Sequence, residues 1–142
     1  MRPYVCGFMF SPDRSRVLLI RKNRPTWQAG KLNGVGGKVE PGETAHDAMV
    51  REFREEAGLL IPTWQPMLHI TGNPSPRDET GWRATFFRAF HDPTAATSQT
   101  DELLEIHPAS PVPVGAIANL RWIIPMLLDD DVAGGEYGVA TA

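Results

Sequence analysis

Residues 37–59 read GKVEPGETAHDAMVREFREEAGL, from Gly37 to Leu59, and contain the clearest helix pattern in the chain. A helix is predicted over roughly Thr44 to Ala57, because Thr44 is a plausible N-terminal cap and Gly58 stands where a left-handed C-terminal residue is wanted. At about 100° per residue, one arc of this helix carries three carboxylates: Glu52, Glu55 and Glu56. That arc overlaps the apolar face, whereas an ordinary amphipathic helix places its acids on the opposite side.

Such crowded carboxylates need a compensating partner. They repel one another, they resist desolvation, and they lie in the C-terminal half of the helix, where helix electrostatics disfavour anions. A hard divalent cation with oxygen ligands is the economical partner, and Mg²⁺ would bring a phosphate substrate with it. The alternative is a solvated face on which Arg51 and Arg54 pair with the glutamates. The helix alone leaves both interpretations open.

The spacing of the residues around the helix favours the first interpretation. Residues 37–59 resemble the Nudix box, G-x5-E-x7-R-E-U-x-E-E-x-G-U, in which U is a bulky apolar residue. Every specified position is matched, with Phe53 and Leu59 at the U positions. The resemblance, which is to the MutT-like members of the Nudix hydrolase family, implies an α/β/α sandwich around a mixed β-sheet, with the box as loop-helix-loop. It also implies hydrolysis of a nucleoside diphosphate linked to another group, with Mg²⁺ or Mn²⁺ as cofactor.

The same resemblance assigns roles to individual residues. The implied metal ligands are the backbone carbonyl of Gly37 and the carboxylates of Glu52, Glu55 and Glu56. Glu43 and Arg51 are the implied supporting residues of the catalytic site, the arginine orienting carboxylates through its fork of donors. A glutamate from a later loop takes part in some members, and Glu102 is the candidate here; its alternative is a solvated loop acid. Glu52 is the first choice for the base that accepts a proton from the attacking water.

The substrate is suggested by the residues that lead into the box. Residues 29–39 resemble the corresponding segment of MutT-type enzymes, which hydrolyse nucleoside triphosphates, including oxidised purine nucleotides, to the monophosphate and pyrophosphate. That resemblance points to Asn33 and Asn119 as contacts of the base, since an amide offers both a donor and an acceptor. The alternatives are a turn residue for Asn33 and a helix cap for Asn119. Arg24 and Lys38 are expected to bind phosphates.

Two further functions remain as alternatives. One is a Nudix hydrolase that acts on ADP-ribose or on another nucleotide conjugate. The other, from a different class, is a non-catalytic Nudix-fold module that binds nucleotides or regulates a partner. Such modules usually lose box glutamates, whereas this chain keeps all of them, so hydrolysis is favoured.

The rest of the chain predicts strands on both sides of the box helix, and a single domain over residues 1–142. The predicted elements are strands at Tyr4–Phe10, Val17–Ile20, Leu59–Ile61, Met67–Thr71, Trp82–Phe90 and Glu102–His107, a short strand within residues 23–37, and a last helix at Ala116–Leu128. A polar loop is expected from Asn73 to Thr80, and a loosely held tail from Asp129. Strands, helix, strands and helix in this order predict an α/β fold with a mixed sheet flanked by helices.

Composition limits the partners and the compartment. The chain has 142 residues, a formal net charge of −3 and a single cysteine, Cys6. One cysteine excludes an intrachain disulfide and a cysteine-based zinc cluster, and no membrane span or signal peptide is evident, so we expect a cytoplasmic protein. Residues 1–90 carry an excess of four positive charges and residues 91–142 an excess of seven negative ones. No basic surface for a long nucleic acid is therefore expected, whereas a small nucleotide is. The oligomeric state is left open.

Overall fold

The computed structural model describes residues 1–76 and 78–139, so part of the predicted loop (Arg77) and the last three residues of the tail lie outside the described residues. The described chain forms eight strands and two α-helices. The strands are β1 Arg2–Phe10, β2 Arg16–Arg21, β3 Leu32–Asn33, β4 Val35–Lys38, β5 Gln65–Gly72, β6 Trp82–Phe90, β7 Leu104–Pro108 and β8 Gly135–Val139; the helices are α1 Ala45–Ala57 and α2 Leu120–Leu127.

The strands form one mixed sheet whose main path runs β3-β2-β1-β6-β5-β8. At its centre, β1 is parallel to β6 over nine residue pairs and antiparallel to β2 and β4. β5 is antiparallel to β6 and parallel to β8, and β7 is antiparallel to β2. The branch through β4 matters most for function, because β4 leads directly into the loop before α1.

Alternation along β1 divides the core between the two faces of the sheet. Val5 and Met9 face the apolar side of α1, whereas Phe8 and Phe10 face α2. Gly7 lies under α1, where an added Cβ would overlap Met49. Helices on both faces of a mixed sheet confirm the predicted fold class, an α/β/α sandwich with the box as loop-helix-loop.

The box helix α1 begins and ends as its residues predict. The Thr44 side chain accepts a hydrogen bond from the Asp47 N–H at 3.0 Å, which satisfies one of the free donors of the first turn. Gly58 follows the last turn with φ 71°, and its N–H bonds the Arg54 carbonyl. The face of α1 that packs against the sheet is fully buried at Ala48, Met49 and Phe53.

The start of the last helix was predicted too early. Residues 116–119 form a β-bridge followed by a turn rather than helix, and α2 begins at Leu120. The reason lies in β3: Ala116 forms a bridge with Leu32, and the Ile117 N–H bonds the Leu32 carbonyl at 3.0 Å. These contacts hold the segment against the sheet. None of the helices of the described chain is long and apolar enough to cross a membrane.

Three other expectations also need correction. Leu59–Ile61 is not a strand, because the chain leaves α1 irregularly and buries Ile61 in the core before β5 begins. Glu102 precedes β7 instead of opening it. The tail is not loose up to residue 139, since β8 adds a parallel strand to β5 and extends the sheet.

Candidate active site

Arg51 organises the carboxylates of the box helix. Its guanidinium donates to both oxygens of Glu43, with Nε at 2.7 Å and Nη2 at 2.9 Å. Nη1 donates to Glu52 Oε1 at 3.0 Å and lies 3.4 Å from both oxygens of Glu55, while Nη2 also donates to the Lys38 carbonyl at 3.0 Å. One planar side chain therefore connects the loop before α1 to two glutamates on the helix.

This arrangement places the glutamates in different electrostatic environments. Hydrogen bonds from the Arg51 guanidinium, with a smaller contribution from the Glu40 N–H, lower the pKa of Glu43 to about 2. Burial raises the pKa of Glu52 against the opposing hydrogen bond from Arg51. The Glu52 side chain is only 14% exposed, whereas that of Glu55 is 57% exposed. Glu43 is thus a fixed anion, and Glu52 is the most enclosed of the helix carboxylates that Arg51 contacts.

Gly37 lies directly against the Glu52 carboxylate. The strand β4 holds Gly37 in register with Val5 of β1, and a Cβ at Gly37 would overlap both oxygens of Glu52. The glycine carbonyl and the carboxylates are all oxygen donors, the ligand type that Mg²⁺ and Mn²⁺ prefer. The donor chemistry therefore fits a hard divalent cation. Within residues 1–76 and 78–139, no three His, Cys, Asp or Glu side chains are arranged as a metal-binding group.

Glu56 is held from outside the helix. Thr100 Oγ1 donates to Glu56 Oε2 at 3.1 Å, and the Gln99 N–H donates to the Glu56 carbonyl at 3.1 Å. The sequence interpretation missed Thr100. Its contact spans 44 positions of the chain, so no local pattern could have indicated it.

Glu102 is buried, and its carboxylate accepts hydrogen bonds from residues 22–24. Its Oε1 accepts from Lys22 Nζ at 2.8 Å, and its Oε2 accepts from the Asn23 N–H at 2.6 Å and the Arg24 N–H at 3.3 Å. Burial alone would raise the pKa of Glu102, but the bonds from Lys22 and the two backbone donors together lower it. The alternative of a solvated loop acid is wrong, because Glu102 is 3% exposed.

The two predicted phosphate contacts, Arg24 and Lys38, differ in whether a carboxylate binds them. The Arg24 guanidinium pairs with Asp101 Oδ2 at 2.6 Å and lies 3.9 Å from Glu102 Oε2. Lys38 is exposed at the end of β4, and its carbonyl already accepts from Arg51. Of these two cations, Lys38 is therefore the one that no carboxylate contacts in the described part of the chain.

The two predicted base contacts differ in how their amides are satisfied. Asn33 donates through Nδ2 to Gln28 Oε1 at 2.8 Å, and its Oδ1 accepts from the Gly34 N–H at 2.7 Å. Asn119 occupies the N-cap position of α2, as the alternative expects, and its carbonyl accepts from the Ile123 N–H at 3.0 Å, but its side chain makes no capping bond. Its Oδ1 is buried without a hydrogen-bond partner. A buried acceptor of this kind is costly unless a ligand satisfies it.

Comparison with known proteins identifies the family. The NUDIX domain model matches residues 1–126, and the chain therefore belongs to the NUDIX domain family. This confirms the family that residues 37–59 predict.

Named relatives match the chain over about half its length. The oxidized purine nucleoside triphosphate hydrolase of Mus musculus is 43% identical over 70 residues, which cover 49% of this chain and 43% of the relative. The ADP-ribose pyrophosphatase of Methanocaldococcus jannaschii is 42% identical over 69 residues, covering 49% of this chain and 38% of the relative. The chain thus spans less than half the length of these curated relatives.

A solved structure extends the likeness of the fold to nearly the whole chain. The MutT protein of Bacillus halodurans has a TM-score of 0.72 and 20% sequence identity, covering 99% of this chain and 91% of that one. At this identity the likeness concerns the fold alone.

Proposed function

We propose that residues 1–142 act as one Nudix hydrolase domain, which hydrolyses a nucleoside diphosphate linked to another group with Mg²⁺ or Mn²⁺. The substrate class that we favour is a nucleoside triphosphate, including oxidised purine nucleotides, with the monophosphate and pyrophosphate as products. The observation that carries the proposal is the arrangement around Arg51, which contacts Glu43, Glu52 and Glu55, with Glu52 directly beside Gly37.

The residues of the site have different roles in such a reaction. A bound divalent cation would neutralise phosphate oxygens and lower the pKa of a bound water. Glu52, Glu55 and Glu56, with the Gly37 carbonyl, are the proposed ligands. Arg51 and Glu43 keep the carboxylates in place, and Glu52 accepts the proton of the water that attacks phosphorus as the P–O bond to the leaving group breaks. Glu102 anchors the chain around Lys22 in this arrangement, and we keep it as a candidate ligand.

The preference for a purine base rests on Asn119, and the preference for a triphosphate rests on a relative. The buried Oδ1 of Asn119 has no partner within the described chain and suits an N–H group on a purine edge. Asn33 and Lys38 are the further proposed contacts, to the base and the phosphates, and Arg24 would have to leave Asp101 to join them. A relative named for oxidised purine nucleoside triphosphates supports this choice, while the one named for ADP-ribose makes that compound the second candidate.

A substrate panel tests the proposal. The protein is incubated with Mg²⁺ and either dGTP, 8-oxo-dGTP or ADP-ribose, and the products are separated. Pyrophosphate released from a triphosphate is the expected result. AMP from ADP-ribose, with both triphosphates unchanged, would replace the favoured substrate by the second candidate. No hydrolysis of any of the three would support the non-catalytic module.

Substitutions of single glutamates test the site itself. Glu55→Gln and Glu56→Gln should each lower kcat by about 10²–10³-fold, the scale for removing one electrostatic stabiliser of the transition state. Glu40→Gln is the matched control, because Glu40 is exposed and occupies an unspecified position of the box. Full activity of both site variants would refute the assignment of ligands.

A further inference from the structure

Glu56 differs from the other box carboxylates in the way it is held. Arg51 contacts the other three, but Glu56 receives its hydrogen bond from Thr100, whose Oγ1 lies 3.1 Å from Glu56 Oε2. Across residues 1–76 and 78–139, no other side chain hydrogen bonds this carboxylate. Glu56 also lies in the last turn of α1, where free carbonyls disfavour an anion. A hydrogen-bond donor from outside the helix therefore stabilises the Glu56 carboxylate at this position.

The direction of the Thr100 hydroxyl is set by a second bond. Thr100 Oγ1 accepts from the Glu102 N–H at 3.2 Å, so its own proton must point to another acceptor. Two acceptors are in reach, Glu56 Oε2 at 3.1 Å and the Glu102 carbonyl at 3.4 Å. The carboxylate is both nearer and charged, and it therefore forms the stronger bond.

Backbone bonds fix the loop that carries Thr100. The Thr97 N–H donates to the Ala57 carbonyl at 3.0 Å, and the Gln99 N–H donates to the Glu56 carbonyl at 3.1 Å. Gly58 makes room for Gln99, whose side chain a Cβ at that position would overlap. The loop thus covers the C-terminal end of α1, and the hydroxyl is held in place before any ligand arrives.

We propose that Thr100 is a positioning residue, which holds the Glu56 carboxylate in the orientation that binds the divalent cation. The inference rests on the proposed function. A carboxylate has two oxygens, so Thr100 can occupy one and leave the other for the cation, as outer hydrogen bonds to metal ligands commonly do. Thr100 binds the N–H of Glu102, and the Glu102 carboxylate binds Lys22 and the Asn23 N–H, so Glu102 connects the end of α1 to the segment that begins at Lys22.

Binding of Mn²⁺ in the absence of nucleotide tests the proposal without turnover. Free Mn²⁺ is followed by its electron paramagnetic resonance signal during titration of the protein. Thr100→Val keeps the shape of the side chain and removes the hydroxyl, and it should weaken Mn²⁺ binding by about tenfold, while Thr100→Ser should stay within about twofold of the unchanged protein. Thr100→Ala, which adds no bulk, should match Thr100→Val.

The control lies in the same loop. Thr97 is exposed and its hydroxyl makes no hydrogen bond within the described chain, so Thr97→Val should leave Mn²⁺ binding unchanged. Normal Mn²⁺ binding by both hydroxyl-free variants would overturn the inference, and so would equal weakening by Thr100→Ser. If Glu56→Gln weakens binding while Thr100→Val and Thr100→Ala do not, the positioning role fails and the proposed function stands. If the unchanged protein does not bind Mn²⁺, both fail.

Discussion

Two adjacent glycines of β4 are required for different physical reasons. A Cβ at Gly36 would overlap the Val5 carbonyl, a backbone atom of the neighbouring strand that cannot move without disturbing the sheet. A Cβ at Gly37 would overlap the Glu52 carboxylate, the end of a flexible side chain that can turn away. Gly36 is therefore required for the packing of the sheet, and Gly37 leaves space for the carboxylate of Glu52, a proposed ligand.

Alanine at these two positions should separate stability from activity. Gly37→Ala should keep the thermal midpoint of unfolding nearly unchanged and lower kcat by about 10²-fold, because a displacement of about 1 Å at a reacting group has that effect. Gly36→Ala is the contrasting variant, and its main effect should be a lower midpoint. Thermal unfolding and steady-state kinetics on both proteins check this. Equal activity of Gly37→Ala and the unchanged protein would contradict the role of Gly37.

At the same scale, the sequence predicts the Arg51 arrangement well and the surroundings of Glu102 poorly. Arg51, Glu43, Glu52 and Glu55 lie within one short segment, and its resemblance to the Nudix box implies that the arginine orients carboxylates. Glu102 meets Lys22 across 80 positions of the chain, and that contact depends on how β2 and the loop before β7 come together. Only a folded chain reveals it.

The helices and strands show the same difference between local patterns and long-range contacts. The strands β1 and β6 and the helix α1 are predicted closely because their apolar periodicity and caps are local. The start of α2 and the strand β8 are missed, since the bridge from Ala116 to Leu32 and the pairing of β8 with β5 are tertiary contacts. In both cases a partner strand decides the conformation of a segment whose own pattern is weak.

The C-terminal end of α2 depends on a buried arginine. Arg88 of β6 is 6% exposed, and it donates to the Leu127 carbonyl at 2.9 Å and pairs with Asp130 at 2.8 Å. Arg14 makes similar bonds, to the Leu128 carbonyl at 3.1 Å and to the same Asp130 oxygen at 3.1 Å, but at the surface. The two arginines therefore offer a comparison in which they differ in burial and in one further bond, from Arg88 Nε to Gln65 Oε1 at 2.9 Å.

Replacing each arginine by methionine should show what burial contributes. Arg88→Met leaves the Leu127 carbonyl without its donor, and it should lower the free energy of unfolding by about 2–3 kcal/mol. Arg14→Met should cost less than about 1 kcal/mol, because water replaces the exposed bonds. Urea denaturation of both variants measures the difference. Equal losses for the two would show that burial of Arg88 is not what makes its bonds valuable.

Across the whole molecule, basic side chains hold several carboxylates in their ionised form. The clearest case outside the site joins β2 and β7, where Arg21 donates to both oxygens of Glu105 at 2.8 and 2.9 Å and His107 Nε2 lies 2.9 Å from Oε1. The hydrogen bonds from Arg21, followed by the one from His107, lower the pKa of Glu105 to about 2. Part of the positive excess of residues 1–90 thus forms an ion pair with part of the negative excess of residues 91–142.

This pair predicts how stability depends on acid. A carboxyl group whose pKa is lower in the folded chain binds protons more readily when unfolded, so it stabilises the fold above its unfolded pKa of about 4.3. That contribution should decline as the pH falls through about 2, where folded Glu105 is protonated. Glu105→Gln should therefore cost about 1 kcal/mol at pH 5, and the difference from the unchanged protein should shrink steadily toward pH 2. Urea denaturation between pH 5 and pH 2 measures it. A difference that stays constant over this range would mean that Glu105 stabilises the sheet through packing rather than through its charge.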